Sequence, residues 1–116
     1  MKNILLVETD EPLAYSLARQ LETAGYNVRA VTSSMAALTI LDSNCKIDLV
    51  LTNIAMPIGQ PNGLALSRMA RMKQHGIKLA FITGYDIDDG SLPGRLFRKP
   101  LDVDQLVTEV GTLLSA

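Results

Sequence analysis

Apolar and polar positions follow two different patterns along this chain. Five short runs are rich in apolar residues, which is typical of strands buried in a parallel sheet. Between the runs, apolar residues recur every three or four positions, as they do in amphipathic helices. The runs are 3–7, 27–31, 48–53, 78–82 and 96–98. The pattern predicts strand–helix–strand units with right-handed crossovers, and therefore a three-layer, doubly wound α/β fold around a five-stranded parallel sheet.

The first two helices have clear capping signals. The first is expected to begin near Asp10, with Pro12 in its first turn, and to end before Gly25. The second is expected to follow the N-cap candidates at 32–34. The expected apolar faces consist of Leu13, Ala14, Leu17, Ala18 and Leu21 in the first helix, and of Ala37, Leu38 and Leu41 in the second.

Two further helices are expected in the second half of the chain. One runs from Gly63 to His75, where Gly76 stops it. The last begins at Asp102, whose carboxylate can cap the helix while Gln105 reaches back, an arrangement known as a capping box. The residues expected to face inward are Leu64, Ala65, Met69 and Met72 in the third helix, and Leu106, Val110, Leu113 and Leu114 in the last.

Two segments interrupt this regularity. The stretch 84–98 is short and rich in turn formers, so a full crossover helix with its loops hardly fits between the fourth and fifth strands. A short or irregular segment is expected there in place of the usual fourth helix. Segment 58–63 contains Gly59, Pro61 and Asn62, and it is expected to form a defined turn.

Composition narrows the class of protein. The chain has 116 residues, of which 47% are hydrophobic and 20% charged, as expected for one folded domain over 1–116. A net charge of -1 without a basic cluster disfavours nucleic-acid binding. The absence of a long apolar stretch predicts no membrane span and, by default, a cytoplasmic location. Cys45 is the single cysteine and cannot form an internal disulfide, which agrees with a reducing compartment.

Polar residues follow or end four of the apolar runs, and their order is informative. They are Glu8 and Thr9 after the first run, Asn53 at the end of the third, Thr83 after the fourth and Lys99 after the fifth. With the Met-Pro that follows the third run and the proline after Lys99, they resemble the motifs of the response-regulator receiver (CheY-like) family. The resemblance covers essentially the whole chain and implies a flavodoxin-like sheet of strand order 2-1-3-4-5, whose carboxyl ends bring these residues together.

By this resemblance, the position of Asn53 is the one at which receivers carry the phosphoacceptor aspartate. An amide is neutral and its nitrogen lone pair is delocalised, so an acyl phosphate is not expected at this position. Thr9 stands where active relatives have a second acidic residue that binds the metal directly. With two of three acidic positions neutral, Glu8 alone should bind Mg²⁺ weakly, so neither a metal nor another cofactor is expected.

Lys99 matches the lysine that contacts the phosphate in active receivers. Without a phosphate it is expected to donate to Glu8 or to the carbonyl of Asn53 and to hold the site in one state. The alternative is a plain strand-end lysine. Asp10 is expected to act as an N-cap, although a shifted metal ligand remains the alternative.

Two further positions match the switch residues of the family. Thr83 matches the phosphate-sensing hydroxyl, although threonine is also common in strands. Leu96, three residues before the lysine, stands where receivers carry a switch aromatic, so the usual aromatic read-out is not expected. Phe97 should point to the opposite face of its strand.

The prediction is therefore a degenerate receiver that is not an enzyme and acts, without phosphorylation, by binding another signalling protein. Candidate partners are a histidine kinase, a phosphotransfer protein or a regulator, and the pattern leaves two oligomeric states open, a monomer and a homodimer. One alternative is an active phosphoryl acceptor that uses Asp10 or Glu8. Another is an engineered receiver whose native residue at 53 is aspartate. The joint departures from the family at Asn53, Thr9 and Leu96 favour a natural degenerate receiver instead. A remote alternative is a small flavin- or nucleotide-binding enzyme, which a missing Gly-rich loop and 4% aromatic residues disfavour.

Overall fold

Five parallel strands form one sheet with helices on both faces, in a computed structural model that describes residues 1–115. The strand order is β2-β1-β3-β4-β5. The strands are β1 (Asn3–Val7), β2 (Asn27–Val31), β3 (Leu49–Asn53), β4 (Lys78–Thr83) and β5 (Arg95–Arg98). The helices are α1 (Glu11–Thr23), α2 (Ser34–Asp42), α3 (Gly63–Lys73) and α4 (Val103–Ser115). The predicted fold class and strand order are confirmed.

The core lies in two layers, one on each side of the sheet. Helices α1 and α4 pack on one face, around buried residues such as Leu6, Leu17 and Leu106. Helices α2 and α3 cover the other face, around residues such as Val50 and Phe81. The central strands β1 and β3 are almost wholly buried, because they are covered on both faces.

Helix α1 begins and ends, and helix α2 begins, as their capping residues predict. The carboxylate of Asp10 accepts a hydrogen bond from the Leu13 N–H at 3.2 Å, and Ser33 caps α2 in the same way through the Ala36 N–H. Gly25 follows α1 with a φ of 104°, a left-handed conformation that favours glycine at C′.

Helix α3 differs from the prediction in its length and in its inner face. It ends at Lys73, before His75, because Gln74 leaves the helix and binds the 45–47 backbone with its side-chain amide. The buried residues are Gly63, Leu66, Ser67 and Ala70. The expected inner positions Leu64, Ala65 and Met69 are only half-buried, and Met72 is 78% exposed. Apart from Leu66, the buried residues of α3 are small, and small residues let the helix approach the sheet closely.

Helix α4 begins one residue after Asp102, whose carboxylate accepts the Gln105 N–H at 3.1 Å. The Gln105 side chain makes no return hydrogen bond within residues 1–115, so only half of the predicted capping box forms. Leu106, Val110 and Leu114 are buried against the sheet as expected, and Leu113 packs at their margin.

The connection between β4 and β5 lacks an α-helix, as the sequence predicts. Residues 84–94 form only a 3-10 turn at Asp89–Ser91. Leu92 from this connection packs against the core layer of α2 and α3. The chain therefore crosses the sheet face beside α3 with much less cover than a helix would give.

Segment 58–63 forms the defined turn that its composition predicts. Gly59 has a φ of 93°, and the Gln60 N–H donates to the carbonyl of Pro57 at 3.3 Å. The Gln60 side chain accepts the Ser34 N–H at 3.0 Å, and the Ser34 hydroxyl donates to the carbonyl of Pro61. The turn is thus fixed to the start of α2.

The two edge strands are short and charged. In β2, Asn27, Arg29 and Ala30 are exposed, and β5 has only four residues, with Arg95 and Arg98 exposed. Within residues 1–115, none of the helices has both the length and the hydropathy needed to cross a bilayer.

Candidate functional site

Four polar side chains meet at the carboxyl edge of the sheet because parallel strands end at the same edge. Val7 lies beside Thr52 in the sheet register, so Glu8 and Asn53 follow on adjacent strands. Thr83 ends β4, and its carbonyl accepts the N–H of Lys99 at 2.8 Å. The reversal of strand order between β1 and β3 places this group where α/β folds usually bind ligands.

Glu8 and Lys99 form an ion pair at the centre of the group. The Glu8 residue is 0% exposed, and its Oε1 lies 2.8 Å from the Lys99 Nζ. The ammonium approaches outside regular hydrogen-bond angles, so the contact is chiefly ionic. The other oxygen, Oε2, accepts the Asp10 N–H at 3.0 Å and lies 3.5 Å from the Thr9 hydroxyl. Glu8 and the carbonyl of Asn53 are the two acceptors expected for Lys99, and its ammonium contacts Glu8.

Asn53 is held by a contact that uses its amide. The residue is 6% exposed, and its Nδ2 donates to the backbone carbonyl of Ala55 at 2.9 Å. An aspartate carboxylate has no hydrogen to donate to this carbonyl and would repel it. The backbone after β3 is therefore complementary to an amide at this position.

Of the predicted switch positions, Thr83 ends β4 and Leu96 lies within β5. Thr83 is 2% exposed, and its Oγ1 accepts the N–H of Tyr85 at 3.0 Å. Leu96 packs on the α2–α3 face of the sheet, whereas Phe97 packs on the α1–α4 face. The opposite orientation predicted for these two neighbours is confirmed.

An open cavity of about 540 Å³ lies over the site. Asn53, Thr9 and Lys99 line it, as the sequence pattern suggests, but so do residues that the pattern does not single out for this role. These are Ala55, Met56 and Pro57 after β3, and Gly84 and Tyr85 after β4. Their place directly after strand ends is the signal that could have found them, since loops at this edge surround the site.

The acidic groups near the cavity are few. Glu8 is the buried carboxylate of the site, whereas Thr9 and Asn53 are neutral. Within the part of the chain that the structure describes, no three His, Cys, Asp or Glu side chains are grouped so that they could hold a metal ion.

Asp10 is exposed and its carboxylate caps α1, so an Asp10→Ala variant is expected to lose about 1 kcal/mol of unfolding free energy. Asp10→Asn is the matched control, because asparagine caps nearly as well without the charge. Urea unfolding of the two variants measures the difference. A loss of equal size in both would show that the charge matters more than the cap.

These features define the class of protein. The family model of the response regulator receiver domain matches residues 4–91. The chain belongs to this family, whose members are signalling modules of two-component systems and interact with histidine kinases and other signalling proteins.

Particular relatives support this assignment over the full length of the chain. A response regulator receiver protein CpdR from Brucella abortus is 32% identical, covering 100% of this chain and 99% of the relative. A response regulator receiver protein from Sinorhizobium medicae has a crystal structure with a TM-score of 0.88 and 30% identity, covering 99% of this chain and 95% of that one. The receiver domain of the hybrid histidine kinase CckA is similar at a TM-score of 0.84 and 29% identity, covering 97% and 98%.

Proposed function

We propose that this receiver signals without being phosphorylated and acts by binding other signalling proteins. The observation that carries the proposal is Asn53 at the end of β3, with its amide donating to the carbonyl of Ala55. The position lacks a carboxylate nucleophile, and its surroundings suit the amide. This fit also favours asparagine as the native residue over an engineered replacement.

The ion pair of Glu8 and Lys99 is the second support. In this family the lysine contacts the phosphate, but here its ammonium already lies 2.8 Å from a buried carboxylate. Because the pair satisfies both charges within the protein, the site is held in one state without a modification. The pair therefore acts as a fixed internal substitute for a contact that other receivers form on signalling.

The oxygen atoms of this site do not fit a magnesium ion. Mg²⁺ prefers several oxygen ligands with carboxylates among them. One oxygen of Glu8 faces the Lys99 ammonium, the other accepts the Asp10 N–H, and Thr9 and Asn53 carry no charge. A metal ion would have to displace a cation that is already bound, so the proposed mode of action includes no metal.

The phosphodonor test uses the full chain, an Asn53→Asp variant and a Thr9→Asp/Asn53→Asp variant. Each protein is incubated with Mg²⁺ and acetyl phosphate or phosphoramidate, and intact mass is measured. The wild type is expected to gain no phosphoryl group, because it lacks the nucleophile. The double variant is expected to gain one, since it regains the nucleophile and the second acidic position.

A phosphorylated wild type would contradict the proposal and would favour a displaced carboxylate, Asp10 or Glu8, as the acceptor. Mapping the modified residue by peptide mass spectrometry then identifies it. A magnesium titration followed by the backbone amide signals of Glu8 and Asn53 gives an independent check, because a displaced-acceptor site needs the metal and the proposed one does not. Saturable shifts at these two amides in the wild type would count against the metal-free mode.

A further inference from the structure

A cleft of about 300 Å³ lies away from the phosphoacceptor position, between α3 and the connection from β4 to β5. Its apolar part is formed by Leu64 of α3, Leu79 of β4 and Pro93 of the connection. Two guanidinium groups from exposed residues, Arg68 and Arg71, also line it. The cleft thus combines an apolar floor with positive charge on one wall.

The cleft lies where the sheet has the least helical cover. A crossover between parallel strands usually carries a helix that packs on the sheet. Here residues 84–94 supply only a 3-10 turn, and α3 is the last helix on this face before the edge strand β5. A helix from another molecule could therefore pack beside α3, on the face that the short connection leaves open.

The exposed side of α3 carries an apolar residue among charged ones. Leu64, Arg68 and Met72 are spaced four residues apart and so lie on one stripe. Met72 is 78% exposed, although methionine usually lies inside and is enriched at protein interfaces. Leu64 and Arg68 of this stripe line the cleft, and Met72 lies one helical turn beyond Arg68.

The two arginines lack acidic partners within the described residues. Within the described residues, four other cations are paired, among them Lys73 on the same helix, which binds Asp42, and Arg95, which lies 3.4 Å from Glu109. Arg68 forms no such pair, and Arg71 only donates through Nε to the carbonyl of Ile77 at 3.4 Å. Guanidinium groups bind carboxylates in a two-pronged geometry, so both are available to acidic side chains of a partner.

We propose that this cleft binds an amphipathic helix of a partner protein that carries acidic residues beside its apolar stripe. The apolar stripe packs on Leu64, Leu79 and Met72, and flanking carboxylates pair with Arg68 and Arg71. This is the helix-in-groove mode of recognition, with charge selecting the partner. The surface is separate from the site at the carboxyl edge, so the inference goes beyond the phosphorylation-independent function and does not depend on it.

The test uses a capped peptide of about 16 residues, long enough to form a helix, with leucines at helical spacing and glutamates on both flanks. It is titrated into the isotopically labelled full chain. Two control peptides are matched to it. One has lysine in place of each glutamate, and the other has the same composition in scrambled order. The acidic peptide is expected to bind with a Kd below about 1 mM and to shift the amide signals of 64–72 and 91–93. The other two are expected to bind at least about tenfold more weakly.

Protein variants identify the contact. Arg68→Glu/Arg71→Glu is expected to weaken binding of the acidic peptide by about tenfold or more, and Arg68→Gln, which leaves the Arg71 contact to Ile77 intact, by a smaller factor. Lys2→Glu/Lys46→Glu is the matched control, because it changes the net charge equally with two exposed residues that do not line the cleft. Circular dichroism checks that each variant folds.

Four results would overturn the proposal. The first is a peptide affinity weaker than about 1 mM, and the second is equal binding of the acidic and basic peptides. The third is an equal loss in the control variant, which would indicate a general charge effect. The fourth is binding to vesicles that contain phosphatidylglycerol by a protein that does not respond to the peptide. If the Arg68→Glu/Arg71→Glu variant loses this binding, the cleft is assigned to anionic lipid.

Discussion

Replacement of Lys99 by methionine is expected to lower the free energy of unfolding by about 2–4 kcal/mol, because it leaves the Glu8 carboxylate buried without a counter-charge. Glu8 is 0% exposed, and the Lys99 ammonium is 2.8 Å from its Oε1. The expected loss is below the upper range for a broken buried pair, since the Lys99 side chain is itself 28% exposed. Urea unfolding at constant pH, followed by circular dichroism, measures it.

The control removes both charges. A Glu8→Gln/Lys99→Met variant is expected to recover most of the loss, since an ion pair replaced by neutral groups of similar size often costs little. Glutamine can still accept the Asp10 N–H, so the turn after β1 is kept. If the double variant were as unstable as Lys99→Met alone, the unpaired charge of Glu8 would not be the cause of the loss.

Gly63→Ala is expected to destabilise the protein by about 2–4 kcal/mol through a steric clash with the backbone of the site. A Cβ at position 63 would lie 2.2 Å from the backbone oxygen of Asn53. The Gly63 N–H also donates to the carbonyl of Ile54 at 2.8 Å, so the start of α3 is held against the end of β3. Neither backbone segment can yield without breaking this contact. Thermal and urea unfolding measure the effect.

Gly76→Ala is the matched control for this prediction. A Cβ at position 76 meets no atom within 4 Å, and the residue does not have a positive φ. The change is expected to alter stability by less than about 1 kcal/mol and can raise it by restricting the unfolded chain. Unchanged stability of Gly63→Ala would mean that α3 can shift away from β3 at little cost.

The fold could be predicted from the sequence because its signals are local and repeated. Strand runs, the caps Asp10 and Ser33, and the crowded turn formers after Thr83 each predict one element, and their order predicts the sheet. The inner face of α3 could not be predicted in this way. Large apolar residues lie all around that helix, and the closeness of the sheet selects Ser67 and Ala70 instead of Met72. The Ser67 hydroxyl tolerates burial because it donates to the carbonyl of Leu64 at 2.7 Å.

The candidate site could be predicted in its positions but not in its contacts. Strand ends and the family resemblance place Glu8, Asn53 and Lys99 together, since the topology of a parallel sheet decides which ends meet. The choice of Glu8 over Asn53 as partner of the lysine depends on distances that no pattern contains. The same holds for Tyr85 and for the backbone carbonyl of Ala55, because loops have no periodicity from which their conformation could be predicted.

The short, charged edge strands limit how this molecule can associate. An exposed strand edge can extend a sheet into a neighbouring chain and so start aggregation. Arg29 on β2, and Arg95 and Arg98 on β5, are exposed at the two outer strands, and β5 is only four residues long. Adding a strand at either edge would place these charges against a second backbone. Strand addition at either edge is therefore disfavoured, and the helices and loops remain the surfaces for reversible contacts.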